Sequence, residues 1–336
     1  MIYIEEKDKK TYFQETARLM NVTELIIEKD YWVCWTLEKL FSGDFANVLT
    51  FKGGTSLSKA YKIIERFSED IDLTIDKSVL NLQSDKSLDE PNLSANQRRK
   101  RSKHFEKGVN IFIEEELFPW LQNEIEENLK TDTFKIYISE QDPSHILFEY
   151  PKILDYPESS YVLPVIKLEL GARGDRSPQD TKPILTYVEE TLKQAFPTSE
   201  PILVNTLAAK RTFWEKSTIL HAIHHRPTDK PLRGRMSRHY YDLYKMMQNT
   251  DLITEALSDI ALLEAVVQNK RTYFYETWDW YGTAKPNSFK LIPPDDRLKE
   301  IKEDYAAMQE MLFSDEENFE IIIDGLTALE QKINNM

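Results

Sequence analysis

Lys52 to Asp76 reads KGGTSLSKAYKIIERFSEDIDLTID. It opens on two glycines and a hydroxyl, Gly53, Gly54 and Thr55. Leu57, Ala60, Tyr61, Ile64 and Phe67 then recur at helical spacing, which predicts a short amphipathic helix. From Ser68 to Asp76 the period changes to two, and a strand is expected. Asp70, Asp72, Thr74 and Asp76 share one face of it; Ile71, Leu73 and Ile75 share the other. The apolar face must pack on a core, so Asp70 and Asp72 are expected side by side in a cleft. Two such carboxylates repel, and each raises the pKa of the other. A hard divalent cation resolves that conflict, because Mg²⁺ takes a few carboxylates together with phosphate oxygens and water. Glycines without Cβ atoms let backbone amides approach a phosphate, and a helix N-terminus favours negative charge. A phosphate cradle followed by a two-carboxylate strand is the equipment for metal-assisted nucleotidyl or phosphoryl transfer. A capped helix and a solubilised edge strand would show the same D-x-D. The ordered run of glycine turn, helix and polar-faced strand favours the site.

These residues resemble the first motif of the AbiEii/AbiGii nucleotidyltransferase toxins, within the DNA polymerase β-like superfamily, whose members include the MenT-type toxins. That superfamily carries a G-G/G-[ST] turn, a helix and D-x-D on the next strand. The resemblance implies nucleotide binding by Gly53, Gly54, Thr55 and Lys59, and metal binding by Asp70 and Asp72. Ahead of the turn, Glu28-Lys29-Asp30-Tyr31 matches an E-K-D-[YW] cluster common in the family. The same residues also read as a solvated charge cluster on an amphipathic helix.

Composition sets outer limits. The chain has 336 residues, 41% hydrophobic and 30% charged, as expected of a soluble globular protein of one large or two ordinary domains. Cys34 is the single cysteine, which excludes an internal disulfide framework and suits a reducing compartment. No leader and no apolar run of membrane-spanning length is visible, so a cytoplasmic protein without membrane contact is expected. The net charge of −14 weighs against sequence-blind nucleic-acid binding, but permits a local basic face or a basic protein partner.

Before the turn, helices are expected over residues 1–20 and Glu24 to Phe41, with Asn21 or Thr23 as cap. Beyond it, Ser78 to Asn96 reads as a loop. Arg98, Arg99, Lys100 and Arg101 enter a long helix to about Leu129, either as a solvated start or as contacts to an RNA backbone. Phe134 to Ser139 and Ile146 to Tyr150 read as strands, Pro157 to Ser160 as a loop. Val162 to Gly171 is a strand on which Lys167 and Glu169 share a polar face. In the superfamily a third acidic residue comes from a neighbouring strand, and Glu169 is the candidate for metal and nucleotide. Arg173 and Arg176 either meet phosphate or solvate a loop. Thr186 to Phe196 is open between helix and sheet edge. Leu203 to His221 reads as a helix capped by Asn205 or Thr206. Within it, R-T-F-W-E-K resembles the family's R-T-x-x-E-K, which makes Lys216 the active-site lysine by resemblance. As a point charge, Lys216 could hold a triphosphate and neutralise charge developing on it. His221, His224 and His225 have zinc-like spacing but no cysteine nearby to complete a site. The basic loop after them carries Arg233 and Arg235, a second candidate RNA contact, and disorder without a ligand is plausible there. Arg238 to Leu243 resembles the family's R-D-[LYF]-Y-D-[LIV], with His239 and Tyr240 as departures. Asp242 is the acidic residue carried over; it orients Lys216 or binds nucleotide. Asp251 to Asn269 is amphipathic, and KRTYFYETWDWY after it reads as interhelix packing or an RNA-stacking surface.

The expected architecture is an α/β polymerase β-like nucleotidyltransferase core with N-terminal helices over residues 1–200, then a mainly helical domain over 201–336. The resemblance implies a Mg²⁺-dependent toxin of a bacterial toxin–antitoxin or abortive-infection system, with a cognate antitoxin. It would transfer a nucleotide from an NTP to an acceptor, foremost the tRNA 3′ end, blocking translation. Transfer to a protein or small molecule, and a non-catalytic nucleotide-binding module, are the alternatives.

Overall fold

The computed structural model describes residues 4–82, 86–90, 92–129, 131, 133–155, 163–275, 280–313 and 317–336. The expected loop Pro157 to Ser160 lies outside them, as do residues 276–279 of the aromatic run. The chain forms two compact units: residues 1–61 with 67–207, and residues 62–66 with 208–336.

The first unit is a mixed α/β layer. Its elements are α1 (Glu6–Met20), α2 (Glu24–Ser42), β1 (Leu49–Lys52), α3 (Gly53–Lys59), β2 (Ile71–Ile75), α4 (Ala95–Phe112), α5 (Phe118–Leu129), β3 (Lys135–Ile138), β4 (His145–Glu149), β5 (Ile166–Gly171), β6 (Gln179–Ile184), α6 (Tyr187–Thr191) and β7 (Ile202–Leu207). A π-helical turn, Ile113–Leu117, joins α4 to α5. Among the described residues the strands form one sheet in the order β3-β4-β5-β2-β1-β7-β6. β2 runs parallel to β5 and antiparallel to β1. The register pairs Phe51 with Leu73, and Ile71 and Leu73 with Leu168 and Leu170, on one face. All five are buried, and α2 packs on the sheet. The other face therefore carries Lys52, Asp72 and Glu169 in one cross-strand row.

Asn21, in the left-handed conformation at φ 55°, ends α1 instead of capping α2, and Gly43 ends α2. Three expectations need correction. The helix after the glycine turn stops at Lys59, because Lys62 takes φ 54° and breaks it; Ile64 and Phe67 are buried without being helical. β2 is confined to Ile71–Ile75, so Asp70 stands just before it. Ile202–Leu207 is a strand paired along its whole length with β6, not the start of a helix. Its β-branched residues Ile202, Val204 and Thr206 are buried, while Leu203 and Asn205 between them are not, and that period of two prevails. The open segment at Thr186 is α6, closed by a Thr186–Glu189 capping box.

The second unit is helical: α7 (Ala209–His225), α8 (Ser237–Gln248), α9 (Thr250–Ser258), α10 (Ile260–Tyr273), α11 (Asp295–Met308) and α12 (Phe319–Asn334). The predicted helix from Asp251 is thus two, divided at Asp259, whose side chain caps the second. α8 packs against α7, α9, α11 and α12, which explains why Tyr240, Tyr241, Asp242 and Leu243 are all buried on consecutive positions. The segment Lys62–Arg66 joins this unit through a bridge of Arg66 to Leu312 and a hydrogen bond from Phe313 N to Glu65 O. The loop before α8 is tied to α11. Arg297 donates to the carbonyls of Pro227 and Lys230, and the Asp304 carboxylate accepts from the amides of Arg235 and Ser237. No helix among the described residues is long and apolar enough to cross a membrane.

Candidate active site

The first group of site residues is built on β1, β2, β5 and the turn into α3. Lys52 pairs in register with Asp72, and Asp72 with Glu169. Gly53 follows β1 directly and takes φ +77°, a conformation that favours glycine. A Cβ on Gly53 would stand 1.8 Å from Asp72 Oδ2. The glycine turn and the D-x-D strand are therefore in contact, and the first glycine makes room for the second aspartate. Asp70 lies on the same side of the sheet as Asp72. Lys167 Nζ is 3.3 Å from Asp70 Oδ2 and 2.5 Å from Glu169 Oε1. Burial raises the pKa of Asp70, Lys167 counters that, and Glu169 and Glu69 add to it. Glu69 is held by Lys29, whose ammonium is 2.7 Å away.

Other predicted residues have structural partners. Thr55 is buried; its hydroxyl donates to the Asp70 carbonyl at 2.5 Å and lies 3.0 Å from Ser68 Oγ. It ties the turn to the segment that leads into β2 and bears Asp70. Lys59 is buried, 2.7 Å from Asp30 Oδ1 and with its ammonium over the Tyr187 ring. Burial opposes its charge, yet Asp30 and its other neighbours leave its pKa raised. The cluster Glu28, Lys29 and Asp30 is not solvated: all three are buried. Glu28 accepts from Ile153 N and Asp30 from Tyr187 N, while Lys29 also donates to the Leu163 carbonyl. Arg176 is engaged by Thr50, the Asn47 carbonyl and Asp76, and Arg173 by Glu106.

The second group belongs to the helical unit. Asp242 is fully buried on α8. Arg66 grips it with two hydrogen bonds, Nε to Oδ1 at 2.7 Å and Nη2 to Oδ2 at 2.8 Å. Lys216 of α7 donates to Oδ2 at 2.7 Å. Burial works to raise the Asp242 pKa, but the two cations hold it well below the usual carboxylate range. Burial lowers the Lys216 pKa; Asp242 opposes this, while Arg66 and Arg238 add to it. The sequence reading missed Arg66. The apolar residues around it suggest a helix, and only a guanidinium flanked by Ile64 and Phe67 hints at burial.

The histidines next to Lys216 are structural in their contacts. His221 Nδ1 accepts from Lys290 N at 3.0 Å and Nε2 meets Thr283 Oγ1 at 2.9 Å. Burial, then His225 and His224, push its pKa down to about 3. His225 stacks on Trp280 at 5.6 Å. Among the basic candidates, Arg101 donates to the Ser87 carbonyl and pairs with Glu90, and Arg99 meets Asn96. Lys100, Arg233 and Arg235 are exposed, and Arg98 is half-buried.

A central sheet with a polar row beside a glycine turn, and a largely helical C-terminal half, define a polymerase β-like nucleotidyltransferase fold. Residues 35–333 match the family described as nucleotidyl transferase AbiEii toxin, type IV toxin–antitoxin system. The chain belongs to that family, and the match includes every residue of the candidate site described above except Glu28, Lys29 and Asp30. MenT4, a nucleotidyltransferase toxin from Mycobacterium tuberculosis H37Rv, is similar in structure at 14% identity and a TM-score of 0.40, over 94% of this chain and 98% of that one. No curated protein matches the chain. Its general activity is that of a toxin-type nucleotidyltransferase.

Proposed function

We propose that the chain transfers a nucleotide from an NTP to the 3′ end of tRNA in a Mg²⁺-dependent reaction, blocking translation, and is restrained by a cognate antitoxin. The observation that carries the catalytic part is the row of Asp72 and Glu169 beside Asp70, seated against Gly53. The donor set fits a hard cation: all oxygens, with Asp70 and Glu169 already sharing one cation, the Lys167 ammonium. Among the described residues no three acidic, histidine or cysteine side chains are arranged to hold a metal as they stand. Loading would need side-chain movement by Asp70, Asp72 or Glu169.

A divalent ion bound there supplies charge for triphosphate oxygens and a lowered pKa for the attacking hydroxyl. The protein's own share is placement. Gly53 makes room for the Asp72 carboxylate, and Thr55 fixes this turn, whose amides would hold phosphate, to Asp70. Within the helical unit, Asp242 holds Lys216, the lysine that the family resemblance assigns to the triphosphate, in one orientation while Arg66 holds Asp242. Positioning and fixed charge supply most of the rate in such a transfer.

The basic surface residues address the acceptor. With Arg98, Arg99 and Lys100 replaced together by alanine, or Arg233 and Arg235 together, tRNA affinity is expected to fall. The slope of log affinity against log salt should flatten by roughly 0.7 to 0.9 per lost phosphate contact. Filter binding across a salt series measures both quantities. Unchanged affinity and slope in both variants would remove tRNA contact from these clusters. Total tRNA offered with labelled NTP separates the acceptors: label on RNA supports the proposal, and label on protein alone contradicts it.

A further inference from the structure

Next to Lys52, the polar face carries a compact array of four further charges. β2 and its approach supply Asp70 and Asp72; β5 supplies Lys167 and Glu169. Asp72 faces Glu169 across the strands, and Lys167 reaches both Asp70 and Glu169. Three carboxylates and one ammonium leave the array net negative, and each carboxylate raises the cost of ionising the next. Lys167 is only partly exposed, at 34%, and its two contacts place its charge between acids from different strands. That position is where a cation shared by the same oxygens would stand.

We propose that Lys167 is a resident counter-cation of this array, and that it competes with the divalent ion for Asp70 and Glu169. The inference rests on the proposed metal site and adds a residue that opposes loading. The physical reason is exclusion and charge. A metal ion at about 2.0 to 2.6 Å from carboxylate oxygens leaves no room for an ammonium on the same lone pairs. Two cations this close repel at any effective dielectric of a protein surface. Lys167 must therefore release its carboxylates before metal occupies them. In the metal-free protein it performs the opposite service, relieving the repulsion between Asp70 and Glu169.

The test uses the full chain with Mn²⁺ as probe, without nucleotide. Free Mn²⁺ is followed by its electron paramagnetic resonance signal, and thermal unfolding is recorded with and without the ion. Lys167→Gln and Lys167→Met are expected to bind Mn²⁺ about tenfold more tightly than wild type. Both should melt lower than wild type without metal and gain more on adding it. Lys167→Arg, which keeps the charge, should bind as weakly as wild type. Equal or weaker binding by both neutral variants, with wild-type binding abolished by Asp72→Asn, overturns this inference and leaves the metal site standing. Absence of Mn²⁺ binding in wild type and both neutral variants overturns the inference and the metal site together.

Discussion

Asp72→Asn is expected to lower nucleotide transfer about a thousandfold, because metal-borne charge stabilisation of several kcal/mol is lost at about 1.36 kcal/mol per decade. The residue lies at the point where three elements meet. It pairs with Lys52 on one side and Glu169 on the other, and its carboxylate lies against Gly53. The amide of asparagine keeps this shape and removes the charge, so the fold should survive. Gly53→Ala tests the same contact from the other side. Its methyl group meets Asp72 Oδ2 far inside contact distance, and alanine also disfavours φ +77°. The carboxylate must move, and activity should fall with it although every charge is retained. Asp76→Asn is the control. Asp76 caps the turn at Ser78 and pairs with Arg176, so the variant should transfer nucleotide near the wild-type rate. Initial rates at saturating NTP, with circular dichroism to confirm folding, decide the matter. Activity near wild type in Asp72→Asn would remove this row from the chemistry.

The second large effect is on stability. Asp242→Asn is expected to cost about 3 to 5 kcal/mol, because it takes from the buried Arg66 and Lys216 cations the carboxylate charge they share. Arg66, Lys216 and Asp242 are each less than a tenth exposed, so water cannot replace the lost partner. Arg66→Met removes one cation and keeps the Lys216–Asp242 pair, and should cost less. In the double variant, Lys216 is the remaining buried cation, and the loss should be smaller than the sum of the two single ones. Urea unfolding of the variants measures the coupling between Arg66 and Asp242. Additive losses would show that the two residues do not act as a pair.

The geometry of the candidate site was legible in the sequence where pattern is local. Gly53, Asp70 and Asp72 stand within twenty residues, and a change of period from helical to two is visible by eye. Glu169 was legible because β5 repeats the polar-faced alternation of β2, and the register then sets it beside Asp72. What the sequence hides is partnership at a distance. Glu28, Lys29 and Asp30 look solvated because charged residues on a helix usually are. Their partners lie 125, 40 and 157 residues further along, at Ile153, Glu69 and Tyr187. Arg66 was concealed differently. Its neighbours have helical spacing, but the chain turns at Lys62 and sends the guanidinium to Asp242, 176 residues away. At Ile202–Leu207 two periods compete over six residues, and the neighbouring β6, invisible as a strand in its polar QDTKPI, decides for the sheet.

The central claim, nucleotidyl transfer by the Asp70–Asp72 row, is tested most directly by following the two ends of the triphosphate separately. Purified chain is incubated with Mg²⁺, total tRNA and each NTP carrying label at either the α- or the γ-phosphate, beside Asp72→Asn. The account predicts α-label joined to RNA, γ-label released as pyrophosphate, and neither event in the variant. Transfer of γ-label to the acceptor, or α-label transfer undiminished in Asp72→Asn, would contradict it.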